Sequence, residues 1–220
     1  DHELRTPMCM AKLAAEELSN EDASPRGVLV RQLMGRALAR LEAEIGDILL
    51  HARLTAERPP RDETVVSLGE LCGEAARSLA EEAAARSVRV EILRNASGAS
   101  ARGDRAQLAS AVRHLIANAV RFNRKGGRVL VRAERDGDRV TVEVADEGGV
   151  IPPEHLPRVF DPYYQAAHYL TRSTGGLGLG LAIARGVFEG HGGGIGVTNR
   201  PGVGCEFRAW LPAFAPAAAG

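Results

Sequence analysis

The 220-residue chain has an ordinary globular composition, with 45% apolar and 25% charged residues. Its 28 basic and 28 acidic side chains give a formal net charge of zero. This balance argues against a broad electrostatic surface for nucleic acid or for anionic lipid. Cys9, Cys72 and Cys205 are widely scattered and show neither disulfide nor zinc spacing, so we expect inert, buried thiols in a reducing cytoplasm.

The sequence contains no apolar run near the length of about 18 residues that a membrane span requires, and it has no signal peptide. We therefore expect a cytoplasmic location. The chain begins at Asp1, inside an amphipathic helical pattern, and we interpret it as a fragment whose input region was removed. Any membrane attachment would come from a region absent from this chain.

The N-terminal part predicts two helices. Apolar residues over 4–18 recur at alternating spacings of four and three, and a turn signal around Pro25 separates them from a second seam over 34–52. One helical hairpin buries too little apolar surface to be stable alone. We therefore expect residues 1–57 to form a homodimer through a four-helix bundle.

After a linker expected over 58–66, helices and strands alternate in an α/β domain over 67–213, followed by a disordered tail over 214–220. Residues 147–177 form a long loop rich in Gly, Pro and Tyr. The predicted elements are a helix at 68–87, a strand at 88–93, a helix capped by Asp104 and ending near Phe122, a hairpin of 129–134 with 140–145, a helix at 180–189, and strands near 195–199 and 204–211.

A glycine-rich run precedes the last predicted helix and contains Gly176, Gly178 and Gly180. Glycines let the backbone come close to phosphates, and the N–H groups of a helix N-terminus then face anionic oxygens. The run lacks the Gly-Lys-Ser/Thr of a P-loop, and no strand precedes it as in a dinucleotide-binding fold. A flexible connector is equally consistent with these residues.

Three polar residues, His114, Asn118 and Arg121, share one face of the helix predicted to follow Asp104. An amide oxygen can ligate Mg²⁺ and an arginine can pair with phosphate. The alternative is a solvated polar stripe opposite an apolar face.

Asp146 ends the second hairpin strand and is followed closely by Gly148. A carboxylate at this point can accept a hydrogen bond from an exocyclic amine such as that of adenine, although the same residues make an ordinary turn. Phe160 and the tyrosines Tyr163 and Tyr164 either anchor the base of a mobile loop or fill part of the core.

His2 and Glu3 are adjacent at the start of the first helix, and Thr6 lies one turn beyond them. A histidine beside a carboxylate is a nucleophile with its own orienting base. Imidazole titrates near neutrality, so a neutral ring nitrogen is available at pH 7. We interpret His2 as a phosphate acceptor.

These segments occur in a single order: His2 to Pro7, Asn118, Asp146 to Gly148, Phe160, and Gly176 to Gly180. The order resembles the H, N, G1, F and G2 boxes in the transmitter region of two-component sensor histidine kinases, from residue 1 to about 211. The resemblance implies a phosphoacceptor hairpin followed by an α/β sandwich of the Bergerat ATP-binding type, which gyrase, Hsp90 and MutL share.

The resemblance also implies ATP and Mg²⁺ as cofactors and a response regulator receiver domain as the partner. It implies that His2 attacks the γ-phosphorus, that Glu3 takes the proton of the other ring nitrogen, and that Thr6 helps to position water for dephosphorylation. The implied nucleotide contacts are Asn118 on Mg²⁺, His114 near the metal or triphosphate, Arg121 on phosphate, Asp146 on the adenine amine, Gly148 in the G1 loop, Phe160 before a lid over 161–175, and Gly176, Gly178 and Gly180 around the phosphates.

One position departs from the family pattern: Val150 stands where the G1 box usually has its second glycine, and Gly149 comes one position early. We expect a β-branched residue there to cost about 1–3 kcal/mol in strain or lost contact, and to weaken ATP binding without abolishing it. A degenerate kinase acting as a dimeric scaffold or phosphotransfer relay is therefore an alternative. A hydrolytic ATPase is a more remote alternative, because His114 stands where those enzymes have a water-activating glutamate.

Overall fold

The computed structural model describes residues 25–56, 63–93, 98–165 and 177–214. The chain divides into two compact units, Asp1–Arg53 and Leu54–Gly220. Among the described residues, no helix combines the length and the apolar character needed to cross a membrane. The expected domain boundaries and the tail over 214–220 stay predictions.

Helix α1, Pro25–Thr55, accounts for the described part of the first unit. The turn expected around Pro25 is instead the start of this helix, which suits proline because the first helical N–H has no intrahelical partner. In the single chain α1 exposes a set of large apolar side chains, which comprises Val28, Val30, Leu33, Met34, Leu41 and Ile48. The helix expected over 4–18, with His2, Glu3 and Thr6, lies outside the described residues, so the dimeric bundle stays a prediction.

In the part of the second unit that the structure describes, the strands form two sheets. Strands β1 (Glu63–Ser67) and β3 (Ser100–Asp104) pair antiparallel, and β1 occupies the end of the segment expected to be a linker. A five-stranded mixed sheet has the order β2-β4-β5-β7-β6, in which only the β2–β4 pair is parallel. Its strands are β2 (Arg89–Ile92), β4 (Arg128–Asp136), β5 (Arg139–Asp146), β6 (Gly194–Arg200) and β7 (Gly204–Pro212).

The described residues of this unit include the α-helices α2 (Leu68–Ser78), α3 (Ala80–Ala85), α4 (Arg105–Arg121) and α5 (Gly180–Gly190). The single helix expected over 68–87 is therefore divided into α2 and α3. As predicted, the Asp104 carboxylate caps α4, accepting hydrogen bonds from the N–H groups of Ala106 and Gln107.

Helices α4 and α5 pack against each other, and α2 packs against α4, while alternate strand residues fill the layer between helices and sheet. Burying each large aliphatic or aromatic side chain contributes about 1.5–3 kcal/mol. These contacts confirm the predicted α/β sandwich. The largest fully buried side chains include Phe188, Phe207, Leu108, Leu115, Ile116, Ile183 and Leu211.

Candidate functional site

Asp146 lies at the carboxyl end of β5 and is only 5% exposed. Its Oδ1 accepts hydrogen bonds from the backbone N–H groups of Gly148, at 2.8 Å, and Cys205, at 3.4 Å. Burial raises the pKa of the Asp146 carboxyl, and the two backbone hydrogen bonds oppose that rise. Oδ2 accepts no hydrogen bond from the described residues, so one oxygen is fixed and the other is available to a ligand.

Gly148 has no space for a side chain. A Cβ atom there would lie 2.3 Å from the carbonyl oxygen of Phe122, the C-cap residue that follows α4, and 2.9 Å from Asp146 Oδ1. Gly204 is equally constrained, because its Cβ would lie 2.2 Å from the Asp146 carbonyl oxygen. Gly204 was not among the predicted site residues, because it follows the Pro201-Gly202 turn without a motif of its own.

Val150 does not carry the strain that we expected. Among the described residues, the only non-glycine residues with positive φ are Ser87 and Tyr163, so the Val150 backbone is not left-handed. Its side chain is 49% exposed, and a Cβ on neighbouring Gly149 would meet no atom within 4 Å. The expectation of backbone strain at Val150 is therefore wrong, and the position in this loop that has no room for a side chain is Gly148. A loss of nucleotide contact at Val150 stays a prediction.

Glu147 connects this loop to the segment after α4. Its carboxylate pairs with Arg124 at 2.7 Å and with Arg128 at 2.8 Å. The hydrogen bond from the Arg128 side chain is the main cause that lowers the pKa of Glu147. The ion pairs thus hold the residue that precedes Gly148 against the segment that follows α4. The motif pattern predicted no such role for Glu147.

The polar stripe of α4 is half-buried, as expected for a helix whose opposite face fills the core. His114, Asn118 and Arg121 all lie on this stripe. The Asn118 amide makes no side-chain hydrogen bond within the described residues. His114 reaches the start of α5, since a Cβ on Gly180 would lie 2.9 Å from its Nδ1. The stripe therefore meets the N-terminus of α5.

The first turn of α5 has no side-chain cap and no acidic residue, so its N–H groups suit an anion. Gly178 has φ +72°, and a Cβ there would lie 2.9 Å from the Tyr163 carbonyl carbon. The Gly178 carbonyl also accepts the Tyr163 N–H at 3.0 Å. The Tyr163 backbone and the His114 ring lie too close to positions 178 and 180 for side chains there, which explains the two glycines. Gly176 lies outside the described residues.

Phe160 anchors the segment that leads into the long loop. Its ring meets the edge of Phe207, which is 1% exposed, at a centroid distance of 6.3 Å. Nearby, His155 and Tyr164 share a hydrogen bond, and the Arg158 guanidinium lies 4.2 Å from the centre of the Tyr164 ring. The contact with Phe207 supports packing against the core. The lid predicted over 161–175 falls mostly on residues 166–176, which lie outside the described residues, so the lid and a direct nucleotide contact by Phe160 stay predictions.

No group of three or more His, Cys, Asp or Glu side chains suited to a metal ion occurs among the residues that the structure describes. Mg²⁺ commonly binds through one or two protein groups together with substrate phosphates. The Asn118 amide lies one turn beyond His114 on the polar stripe, and His114 reaches the N-terminus of α5, so a single amide ligand there suits an ion that arrives with a triphosphate.

The described thiols match the expectation of inert, buried cysteines. Burial raises the pKa of Cys72 to about 12. It also raises that of Cys205, with the Ile151 backbone lowering it and the Asp146 charge adding to the rise. Cys9 lies outside the described residues.

The family profile described as "Histidine kinase-, DNA gyrase B-, and HSP90-like ATPase" matches residues 103–215. The chain belongs to this family. Its relatives support a transmitter region of the two-component sensor histidine kinase type.

The phosphate regulon sensor protein PhoR of Pseudomonas aeruginosa is 32% identical over 218 residues, covering 98% of this chain and 48% of PhoR. The sensor-like histidine kinase SenX3 of Mycobacterium tuberculosis is 34% identical over 219 residues, which are 97% of this chain and 52% of SenX3. The chain thus spans about half the length of these relatives.

Among solved structures, full-length ShkA in complex with AMPPNP superposes with a TM-score of 0.79 and 28% identity, covering 98% of this chain and 45% of ShkA. The likeness confirms the predicted fold class for the ATP-binding domain.

Proposed function

We propose that this chain phosphorylates itself on His2 with ATP and passes the phosphoryl group to an aspartate of a response regulator receiver domain. The observation that carries the proposal is the arrangement of Asp146. One carboxylate oxygen is held by the backbone of Gly148 and Cys205, and the other is available to accept the exocyclic amine of adenine. ShkA, a relative in structure, was solved with the ATP analogue AMPPNP.

The phosphates would lie between the polar stripe of α4 and the first turn of α5. The N–H groups that begin at Gly180 would contact phosphate oxygens, with Gly176 and Gly178 shaping the approach. Asn118 would hold Mg²⁺, His114 would lie near the metal or the triphosphate, and Arg121 would pair with a phosphate. When bound, Mg²⁺ neutralises charge that develops on the phosphates during transfer.

At the acceptor end, a ring nitrogen of His2 would attack the γ-phosphorus in line, the bond from that phosphorus to the bridging oxygen would break, and ADP would leave, while Glu3 takes the proton of the other ring nitrogen. Phosphohistidine has an energetic N–P bond, which suits onward transfer. Thr6 would help to position water for the reverse, dephosphorylating activity. Two copies would associate through residues 1–57, which is supported by the large apolar side chains that α1 exposes in the single chain.

The alternative of a degenerate kinase rested on Val150, through backbone strain or lost contact with the nucleotide, and the backbone there, which is not left-handed, removes the strain part of that argument. A hydrolytic ATPase is also disfavoured, because His114 occupies the position of the water-activating glutamate.

Incubation with γ-labelled ATP and Mg²⁺ tests the proposal. The unaltered chain should acquire a label that is labile in acid and stable in base, whereas His2→Ala and Asn118→Ala should acquire none. Labelling that persists in His2→Ala would overturn the acceptor assignment, and phosphate release without labelled protein would favour the ATPase.

A further inference from the structure

The loop that follows Asp146 is attached to β6 by one side chain, that of Asn199. The Ile151 N–H donates to Asn199 Oδ1 at 2.9 Å, and Asn199 Nδ2 donates to the Ile151 carbonyl oxygen at 2.7 Å. A side-chain amide here satisfies both polar groups of one residue, as a neighbouring strand would do.

A second contact comes from the residue that faces Asn199 across the β6–β7 hairpin. Cys205 is the register partner of Asn199, and its Sγ donates to the Gly149 carbonyl oxygen at 3.3 Å. The Cys205 backbone N–H also reaches Asp146 Oδ1. One pair of facing residues therefore contacts the loop at its start, middle and end.

Other restraints on this loop are weak. Within the described residues, no backbone–backbone hydrogen bond involves Gly149 or Val150, and the Val150 side chain is half-exposed. Pro152 and Pro153 have no N–H to donate, so the Ile151 amide is the last donor before the chain turns away. The path from Gly148 to Ile151 thus depends on the Asn199 amide more than on burial.

We propose that Asn199 is a positioning residue for the nucleotide loop, holding residues 148–151 in the binding conformation before the nucleotide arrives. The inference rests on the ATP binding proposed above. Preorganising a binding loop increases affinity because less conformational freedom is lost on binding. The chemistry of phosphoryl transfer does not involve Asn199, so its loss should change nucleotide affinity and leave the transfer step intact.

The test compares Asn199→Ala with Thr198→Ala in the whole 220-residue chain. Thr198 is the preceding residue of β6, and its side chain is exposed, which makes it a matched control. Hydrogen exchange by mass spectrometry should show faster exchange in the peptide spanning residues 149–155 of the nucleotide-free Asn199→Ala protein. The Kd for ATP with Mg²⁺ should rise about tenfold, the equivalent of one to two hydrogen bonds.

The autophosphorylation rate at saturating ATP should stay within about twofold of that of the unaltered chain, because Asn199 takes no part in phosphoryl transfer. A twofold change corresponds to a difference of less than about 0.5 kcal/mol in activation free energy. Thr198→Ala should change none of these quantities. Asn199→Asp keeps the size of the side chain and the acceptor for Ile151 N–H but loses the Nδ2 donor. Hydrogen exchange in the peptide spanning residues 149–155 should therefore be slower in Asn199→Asp than in Asn199→Ala.

Unchanged exchange in Asn199→Ala, or faster exchange with unchanged ATP affinity, overturns the role of Asn199 and leaves the proposed function standing. If the unaltered chain binds no ATP although Asn199→Ala still speeds exchange, the proposed function fails, and with it the nucleotide part of this inference.

Discussion

The carbonyl oxygen of Phe122 occupies the space that a side chain at position 148 would need, at 2.3 Å from an ideal Cβ. Through this close contact, the end of α4 packs against the loop that follows Asp146. The helix that carries Asn118 and the strand that carries Asp146 therefore cannot shift relative to each other at this point without moving the loop.

Gly148→Ala should lower the free energy of unfolding by about 1–3 kcal/mol, because the added methyl group meets backbone that cannot rotate away. It should also weaken ATP binding by at least about tenfold, since Phe122 or Asp146 must shift. Gly149→Ala is the matched control, because a Cβ there meets no atom within 4 Å. Urea unfolding and calorimetric titration of both variants measure the effects, and equal losses in the two would contradict the geometry.

Asp146→Asn should separate stability from binding. Burial raises the pKa of Asp146, so the folded state favours the protonated carboxyl. Its contribution to stability is present below the ordinary aspartate pKa and is lost as the pH rises through the raised value. The variant should therefore be more stable than the unaltered chain at pH 7, and this advantage should vanish in acid.

The same variant should bind ATP about 10–100-fold more weakly. Its Oδ1 can still accept from Gly148 and Cys205, but its NH₂ group then faces the adenine amine, donor against donor. Unfolding at pH 4 and pH 7, with nucleotide titration at pH 7, tests both parts. A variant that binds ATP as tightly as the unaltered chain would exclude Asp146 as the adenine acceptor.

Ser87→Gly should stabilise the second unit by about 0.5–1 kcal/mol. Ser87 follows α3 with φ 56°, a left-handed conformation that glycine adopts more easily. Its carbonyl oxygen accepts the Gly126 N–H at 2.9 Å, and residue 87 must keep its left-handed conformation to preserve this hydrogen bond. Ser87→Val is the opposing control and should lower the melting temperature. A lower melting temperature for Ser87→Gly would contradict the expectation.

Val150→Gly should leave ATP affinity within about twofold of the unaltered chain. The valine is unstrained and half-exposed, and substitutions at such positions change free energies by about 0.5 kcal/mol or less. The family pattern alone predicts tighter binding for this variant. A calorimetric gain of tenfold would restore the interpretation that Val150 impairs the pocket.

Local signals in the sequence predicted most of the second unit. The period-two alternation of β4 and β5 and the capping aspartate at 104 act over a few residues, so their patterns are readable. Strand β1 was missed because it is short and follows a proline-rich segment. Its pairing with β3 spans more than thirty residues of sequence, as the Val65–Arg102 register shows.

The candidate site was predicted as residue types but not as contacts. Asp146, Asn118 and Gly180 lie on three different elements, and the family order of motifs pointed to them. The role of Asn199 could not be predicted from the sequence, because its partner, Ile151, lies 48 positions away. Ile151 binds through its backbone, which carries no sequence signature. The strain predicted at Val150 was wrong for a related reason. Only the fold shows that the backbone of Phe122 lies close to position 148 and leaves no room there for a side chain.

The contact between His114 and Gly180 has an evolutionary consequence. An ideal Cβ at position 180 would lie 2.9 Å from His114 Nδ1, so a side chain at 180 would overlap the histidine ring. In related sequences we expect a residue larger than glycine at 180 to occur together with a side chain smaller than histidine at 114. The spacing of α4 and α5 at this point would then be inherited as a property of the pair.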